Sequence, residues 1–211
     1  MGKHAQSADS RVLDRIKRHG TGWVFSAADF RDLGSLTAIR LALMRHARKS
    51  VIRKVSRGLY DLPRQLPRIG SLPPSPNEIV QAVQARNRSR VQPSGAHAAN
   101  LLGLSDQVPV RAVFLTDGCS RTIQFGKQKI LFKHATTRRM AVAGRVSGTV
   151  IQALRWLGRQ HVGASTVATL RRRLSDGDKK QLLQDLRFAP AWVADIMRQV
   201  AQPATGRNGV C

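Results

Sequence analysis

The chain has 211 residues, of which 42% are hydrophobic, enough for one large domain or two small ones with a real core. Its 36 Lys and Arg residues outnumber 12 acidic residues, and the formal net charge of +24 favours a polyanionic partner, usually nucleic acid. Glu78 is the single glutamate, which argues against a two-metal nuclease or a carboxylate-pair hydrolase.

Residues 9–63 contain, in order, the elements of a winged helix-turn-helix. A first helix ends at Gly20, and a short strand follows at 23–25. Ser26, with Asp29 three residues later, has the spacing of a capping box that begins a second short helix. The sequence therefore predicts two helices and one strand before the longer basic helix.

That longer helix is predicted at about 36–49, with Ser35 as its cap. Its expected inward stripe is formed by Leu36, Ile39, Leu43 and Ala47. Strands at about 51–55 and 59–61 follow, and Gly58 between them can take the positive φ of a tight hairpin. Helix, turn, basic helix and basic hairpin together predict a winged helix-turn-helix DNA-binding domain.

Two sets of side chains are candidates for DNA contact. The base-reading set lies on the outward face and flank of the helix: Thr37, Arg40, Arg45 and Arg48. An arginine can pair with guanine through two hydrogen bonds, worth about 1–3 kcal/mol of discrimination. The second set would hold phosphates without reading sequence: Lys49, Arg53, Lys54 and Arg57. A solvated basic face, or a winged helix that docks a protein, is the alternative.

The rest of the chain is expected to form a second domain. A cluster of five prolines predicts a linker at 64–74. Ser75, a proline and Glu78 then give a strong helix start, so the second domain is placed at 75–201. Residues 202–211 are expected to be a disordered tail.

The second domain reads as mixed α+β with a helical C-terminal part. Residues 90–93 are predicted as an edge strand because they include Pro93, and two further strands are expected at 110–116 and 121–133. The predicted helices lie at about 75–85, 95–104, 140–157, 164–174, 177–187 and 190–201. The predicted fold class of the whole chain is therefore α+β.

Several stretches of the chain resemble AbiEi-like antitoxins. The run 36–60, which ends in Arg-Gly-Leu-Tyr, is similar to the N-terminal winged helix of that family. Segments 93–104 and 115–118 are similar to its middle region. The resemblance covers about residues 9–136, and no family pattern is recognised after about residue 140.

The resemblance implies an autoregulatory repressor that is also the antitoxin of a type IV toxin–antitoxin pair. Its partners would be double-stranded DNA of its own promoter and a nucleotidyltransferase-type toxin. A homodimer would bind repeats about one helical turn apart. The expected location is the bacterial cytoplasm, associated with the nucleoid, and neither catalytic residues nor cofactors are expected.

Two other functions are left open by the residues themselves. The positive charge is spread over the chain, with excesses of 8, 9 and 7 over residues 1–63, 64–139 and 140–211. This pattern also suits a non-specific nucleic-acid-binding accessory protein of a mobile element. Asp176 and Asp178 form the D-x-D fragment of nucleotidyltransferases, although acids at a predicted helix start also favour the helix dipole.

Metal and membrane sites are not expected. The six histidines show no metal-ligand spacing with one another or with Cys119 and Cys211, and the two cysteines predict no disulfide framework. Residues 1–20 contain no apolar run of a signal peptide, and no apolar stretch of the chain is long enough for a membrane span. A reducing cytoplasm without a membrane partner is therefore expected.

Overall fold

A computed structural model describes residues 7–68, 70–107, 111–126 and 128–202. The chain forms two compact units. The first contains the N-terminal residues through Ser89 together with Ile123–Lys129, and the second contains Arg90–Thr122 and the chain from Ile130 onward. The boundary at Ser89 differs from the one expected at 64–74, and two elements that follow the winged helix explain the difference.

The first unit opens with six elements in winged-helix order. They are α1 (Ala8–His19), β1 (Val24–Phe25), a 3-10 helix (Ala27–Leu33), α2 (Leu36–Arg48), β2 (Arg53–Ser56) and β3 (Leu59–Asp61). β3 pairs antiparallel with both other strands, in the order β1-β3-β2. This arrangement confirms the predicted winged helix-turn-helix.

Local capping explains where the helices of the winged helix begin. The Ser26 N–H donates to the Asp29 carboxylate at 2.7 Å, and the Ser26 hydroxyl accepts from the Ala28 N–H at 3.2 Å. The Ser35 hydroxyl accepts from the Ala38 N–H at 3.2 Å at the start of α2. These bonds satisfy donors that the first turn of a helix leaves open, and both caps were predicted from the sequence.

Apolar side chains from all three helices, from β1 and from the segment before β2 form the core of the winged helix: Val12, Ile16, Phe25, Phe30, Ile39, Leu43 and Ile52. The expected inward stripe of α2 is wrong at its first position, because Leu36 is 37% exposed. Ala42 and His46 are buried instead. At 100° per residue the inward face centres between Ile39 and His46, and Leu36 lies at its edge.

The segment predicted as a linker forms an antiparallel hairpin of β4 (Arg64–Leu66) and β5 (Gly70–Leu72). The prolines lie outside both strands, at 63 and 73–74 on the flanks and at 67 in the turn. A proline has no N–H to give to a ladder, so these positions leave the pairing intact. Proline content alone therefore predicted the wrong structure here.

Helix α3 (Pro76–Asn87) begins as predicted but belongs to the first unit. The Ser75 N–H donates to the Glu78 carboxylate at 2.6 Å, and the Glu78 N–H donates to the Ser75 hydroxyl at 3.2 Å. α3 contacts β1 of the winged helix. This contact places the unit boundary after α3 instead of before it.

The second unit contains most of a four-stranded sheet. Its strands are β6 (Val91–Ser94), β7 (Arg111–Thr116), β8 (Arg121–Phe125) and β9 (Gln128–His134), in the order β6-β7-β9-β8. β6 is an edge strand, as its proline predicted. The strand expected at 121–133 is two strands, because the chain turns at Gly126 with a φ of +57°.

Helices make up the remainder of the second unit: α4 (Ala96–Leu101), α5 (Thr137–Met140), α6 (Val146–Leu157), α7 (Ala164–Arg173), α8 (Asp176–Gln184) and α9 (Ala191–Ala201). Their core includes Val150, Leu154, Leu170, Val193 and Met197, all fully buried. The chain is thus α+β with a helical C-terminal part, as predicted. The expected tail lies outside the described residues from 203 onward. No helix within the described ranges has the length and apolar character needed to cross a membrane.

A buried carboxylate joins the start of α6 to the end of α8. Asp185 accepts from Arg145 Nη1 at 2.7 Å, from Gln181 Nε2 at 3.0 Å and from the buried Ser147 hydroxyl. Asp185→Ala is expected to lower the free energy of unfolding by about 1.5–3 kcal/mol, since these donors lose a charged acceptor. Asp195→Ala, which removes an exposed partner of Arg198, should cost less than about 1 kcal/mol. Urea denaturation measures the free energy of unfolding of both variants. An equal loss in Asp185→Ala and Asp195→Ala would contradict the structural role of Asp185.

Candidate nucleic-acid interface

The outward face of α2 carries a stripe opposite to the core. Thr37, Leu41, Met44 and Arg48 follow one another at helical spacing and are all exposed. Leu41 is 47% exposed and Met44 39%, so the stripe mixes apolar side chains with a hydroxyl and a guanidinium. Such a surface can offer both hydrogen bonds to base edges and apolar contact with a thymine methyl group.

Two predicted arginines flank this stripe in different settings. Arg40 is exposed and makes no ion pair or side-chain hydrogen bond with any described residue. Arg45 lies on the other flank, where its Nη2 is 3.0 Å from the Asp9 carboxylate of α1. The same carboxylate is 3.3 Å from Nε2 of the buried His46. Arg40 is thus free to meet a ligand, whereas Arg45 would have to leave an existing ion pair.

A cavity of about 430 Å³ lies beside α2, between the 3-10 helix and the turn of the β2–β3 hairpin. Arg40, Arg31 of the 3-10 helix and Arg86 of α3 line it, together with Leu36 and Met44. No acidic side chain is among its described lining residues. The cavity therefore extends the basic surface of α2 towards the β2–β3 hairpin. We call this hairpin the wing.

Three of the predicted phosphate-binding residues are exposed to the solvent, one at the end of α2 and two on the wing. Lys49 at the end of α2, Lys54 on β2 and Arg57 at the turn are all exposed. Gly58 has a φ of +73°, as the turn requires. Arg86 Nη1 donates to the Arg57 carbonyl oxygen at 2.8 Å, which fixes the tip of the wing. These three cations are placed to contact a backbone of phosphates.

Arg53 has a different environment from the one predicted. Its Nε donates to Asp61 at 3.0 Å, its Nη1 to the Ser71 hydroxyl at 2.9 Å and its Nη2 to the Leu72 carbonyl oxygen at 2.7 Å. The guanidinium also lies 4.8 Å from the centre of the Phe125 ring. Because Asp61 is only 1% exposed, Arg53 neutralises a buried carboxylate and joins the wing to β5, so we assign it a structural role.

Arg31 and Arg86 are interface candidates that the sequence did not single out. Arg86 is 29 residues from the turn whose carbonyl it binds, so no local pattern connects the two. Arg31 lies in a segment whose caps and apolar residues predict only a helix. Their shared position beside Arg40 depends on tertiary packing, for which a single sequence gives no signal.

The residues considered for other chemistry occupy ordinary structural positions. The Asp178 carboxylate accepts from the Ser175 N–H at 3.1 Å and from its hydroxyl at 2.7 Å, which caps α8. Asp176 pairs with Lys179 at 3.1 Å. In the described part of the chain, no group of three or more His, Cys, Asp or Glu side chains is placed to hold a metal ion. Cys119 is exposed and unpaired there.

Comparisons with known proteins find similar solved structures and a matching family. The crystal structure of the RV2827C protein from Mycobacterium tuberculosis is 15% identical, with 95% of this chain and 80% of that chain covered and a TM-score of 0.45. No curated protein matches the chain. A family described as of unknown function, DUF6088, matches residues 11–182, which is most of the chain. The protein therefore belongs to the DUF6088 family.

Proposed function

We propose that the protein is a sequence-specific DNA-binding protein that represses its own promoter. The observation that carries the proposal is the outward face of α2, where Thr37, Arg40 and Arg48 are exposed next to a basic wing. α2 would enter the major groove, and Lys49, Lys54 and Arg57 would contact the phosphates on either side. The net charge of +24 would speed the encounter with DNA.

The antitoxin role is the second part of the proposal, and it rests on the resemblance to AbiEi-like antitoxins. The protein would neutralise a nucleotidyltransferase-type toxin encoded beside it, and it would act as a homodimer on the bacterial nucleoid. A dimer should recognise two half-sites about one helical turn apart. Expression of the toxin's gene alone, and then together with this chain, tests the antitoxin role directly. Growth arrest that this chain does not relieve would exclude neutralisation.

The wing gives a prediction about phosphate contact. Arg57→Ala should weaken binding to every duplex alike and reduce the slope of log K against log salt by about one unit, because one phosphate contact is lost. Fluorescence anisotropy over a series of salt concentrations measures the slope. Arg172→Ala, an exposed arginine of α7 in the second unit, is the matched control and should leave the slope of full-length protein unchanged. An unchanged slope in Arg57→Ala would exclude the contact.

A non-specific nucleic-acid-binding protein is the second candidate, and the charge distribution favours it. Each third of the chain carries a similar positive excess, so the surface outside the winged helix is cationic as well. Such a protein would bind all duplexes with equal affinity and lose that affinity steeply with salt. The preference for one sequence at raised salt separates the two candidates.

A further inference from the structure

A second cationic cavity lies within the second unit. Its volume is about 450 Å³, and residues from α4, β7, β9, α5 and α6 surround it. This volume falls within the usual range of small-ligand sites. The predicted DNA-contacting residues all belong to the first unit, so this cavity calls for an explanation of its own.

The charged side chains that line the cavity have one sign. Arg111, Lys133 and Arg139 line it, and no acidic residue is among the described lining residues. Arg111 and Lys133 make no ion pair or side-chain hydrogen bond with the described residues, and Arg139 reaches only the Gln152 oxygen, at 3.4 Å. Cations that converge without a counter-charge repel one another, and a bound anion would relieve that repulsion.

One wall of the cavity is aromatic. Trp156 is 45% exposed although it belongs to α6, whose other apolar side chains are mostly buried. A Cβ added at Gly95 would lie 3.4 Å from the Trp156 ring, so a glycine lets the backbone pass close to the indole. Gly95 also has a φ of +61°, which disfavours any other residue. An exposed indole beside cations is the combination on which nucleic-acid bases stack.

His97 adds a neutral polar group to the same cavity. It lines the cavity, and its Nε2 is buried without a hydrogen-bond partner in the described part of the chain. Burial lowers the pKa of His97, so the imidazole is neutral at pH 7. A neutral imidazole can donate to or accept from a polar group of a ligand, whereas the cations can only donate.

We propose that this cavity binds a nucleoside phosphate, with its base stacked on Trp156 and its phosphate held by Arg111, Lys133 and Arg139. The nucleoside phosphate is either a free mononucleotide or one unit of a single strand. The proposal does not depend on the function of the winged helix, because every described residue that lines the cavity belongs to the second unit.

Isothermal titration calorimetry on the full-length protein tests the proposal with four probes: adenosine monophosphate, adenosine, inorganic phosphate and an eight-nucleotide oligothymidylate. Adenosine monophosphate should bind more tightly than adenosine or phosphate alone. Trp156→Ala and Lys133→Ala should each weaken it about 10-fold, in line with the loss of one stacking or one charged contact. Lys180→Ala, an exposed lysine of α8, should leave the affinity unchanged.

The oligonucleotide distinguishes a single strand from a free mononucleotide as the ligand. Binding of oligothymidylate without binding of the mononucleotide supports a single strand as the ligand, provided that Trp156→Ala and Lys133→Ala weaken it. Phosphate that binds as tightly as the nucleotide overturns the proposal. An equal loss of affinity for adenosine monophosphate in Lys133→Ala and Lys180→Ala also overturns the proposal, because it would show that only the overall charge matters. Arg111→Glu is the second charge variant if Lys133→Ala does not fold, as judged by circular dichroism.

Discussion

Arg53→Ala is expected to destabilise the first unit by about 3–5 kcal/mol. Arg53 and Asp61 lie directly opposite one another on β2 and β3, and Asp61 is 1% exposed. The substitution would leave this carboxylate buried without its charged partner and would also remove the bonds to Ser71 and Leu72. Urea denaturation, followed by the fluorescence of Trp23 in a variant that lacks the other tryptophans, measures the loss.

The matched control is Arg57→Ala, an arginine on the same wing that is exposed. Its free energy of unfolding should change by less than about 0.5 kcal/mol, as for most surface substitutions. The double substitution Arg53→Met with Asp61→Leu should recover most of the loss, because an apolar pair removes the unpaired charge. If Arg53→Ala were as stable as Arg57→Ala, the structural role of Arg53 would be contradicted. Arg53 would then again be a candidate phosphate contact.

Arg48→Ala is expected to weaken binding to the cognate operator by about 1–3 kcal/mol, which is about 5- to 150-fold, while binding to unrelated DNA falls much less. Arg48 is exposed on the outward face of α2, at the C-terminal end of the helix, and makes no ion pair with a described residue. Its guanidinium can therefore pair with a guanine without first breaking a bond within the protein. Competition of labelled operator with unlabelled duplexes measures both affinities.

Arg45→Ala provides the internal comparison for Arg48. Since the Arg45 guanidinium is 3.0 Å from Asp9, we expect its removal to cost less operator affinity than the removal of Arg48. Thermal unfolding of both variants checks that the fold is retained. If Arg48→Ala lost equal affinity for the operator and for unrelated DNA, Arg48 would be a phosphate contact. In that case α2 would have no demonstrated base-reading arginine.

The starts of α2 and α3 could be predicted from the sequence because capping depends on a few neighbouring residues. Ser35 and Ser75 each accept the N–H that their position as a cap predicts. Gly58, as a turn residue, likewise indicated the wing. The single helix expected at 140–157 is instead two helices, α5 and α6, and neither has a side-chain cap. The prolines of 64–74 were misleading, since their identity predicts a linker whereas their positions permit a hairpin.

The division between structural and exposed arginines could not be predicted, because it depends on contacts far apart in sequence. Arg53 and Lys54 are adjacent basic residues, yet only Arg53 lies opposite Asp61 and within reach of Ser71, which is 18 residues away. Arg86 joins the candidate interface in the same way, through a contact with Arg57. A sequence read locally shows the charge of a residue but not the partner that packing brings to it.

The most direct test of the account is the affinity of the protein for the DNA upstream of its own gene, compared with a scrambled duplex, at two salt concentrations. Sequence-specific recognition by α2 predicts a clear preference for the upstream DNA that persists at the higher salt, because base contacts are less sensitive to salt than phosphate contacts. Equal affinities that fall together as salt is raised would contradict sequence-specific recognition by α2.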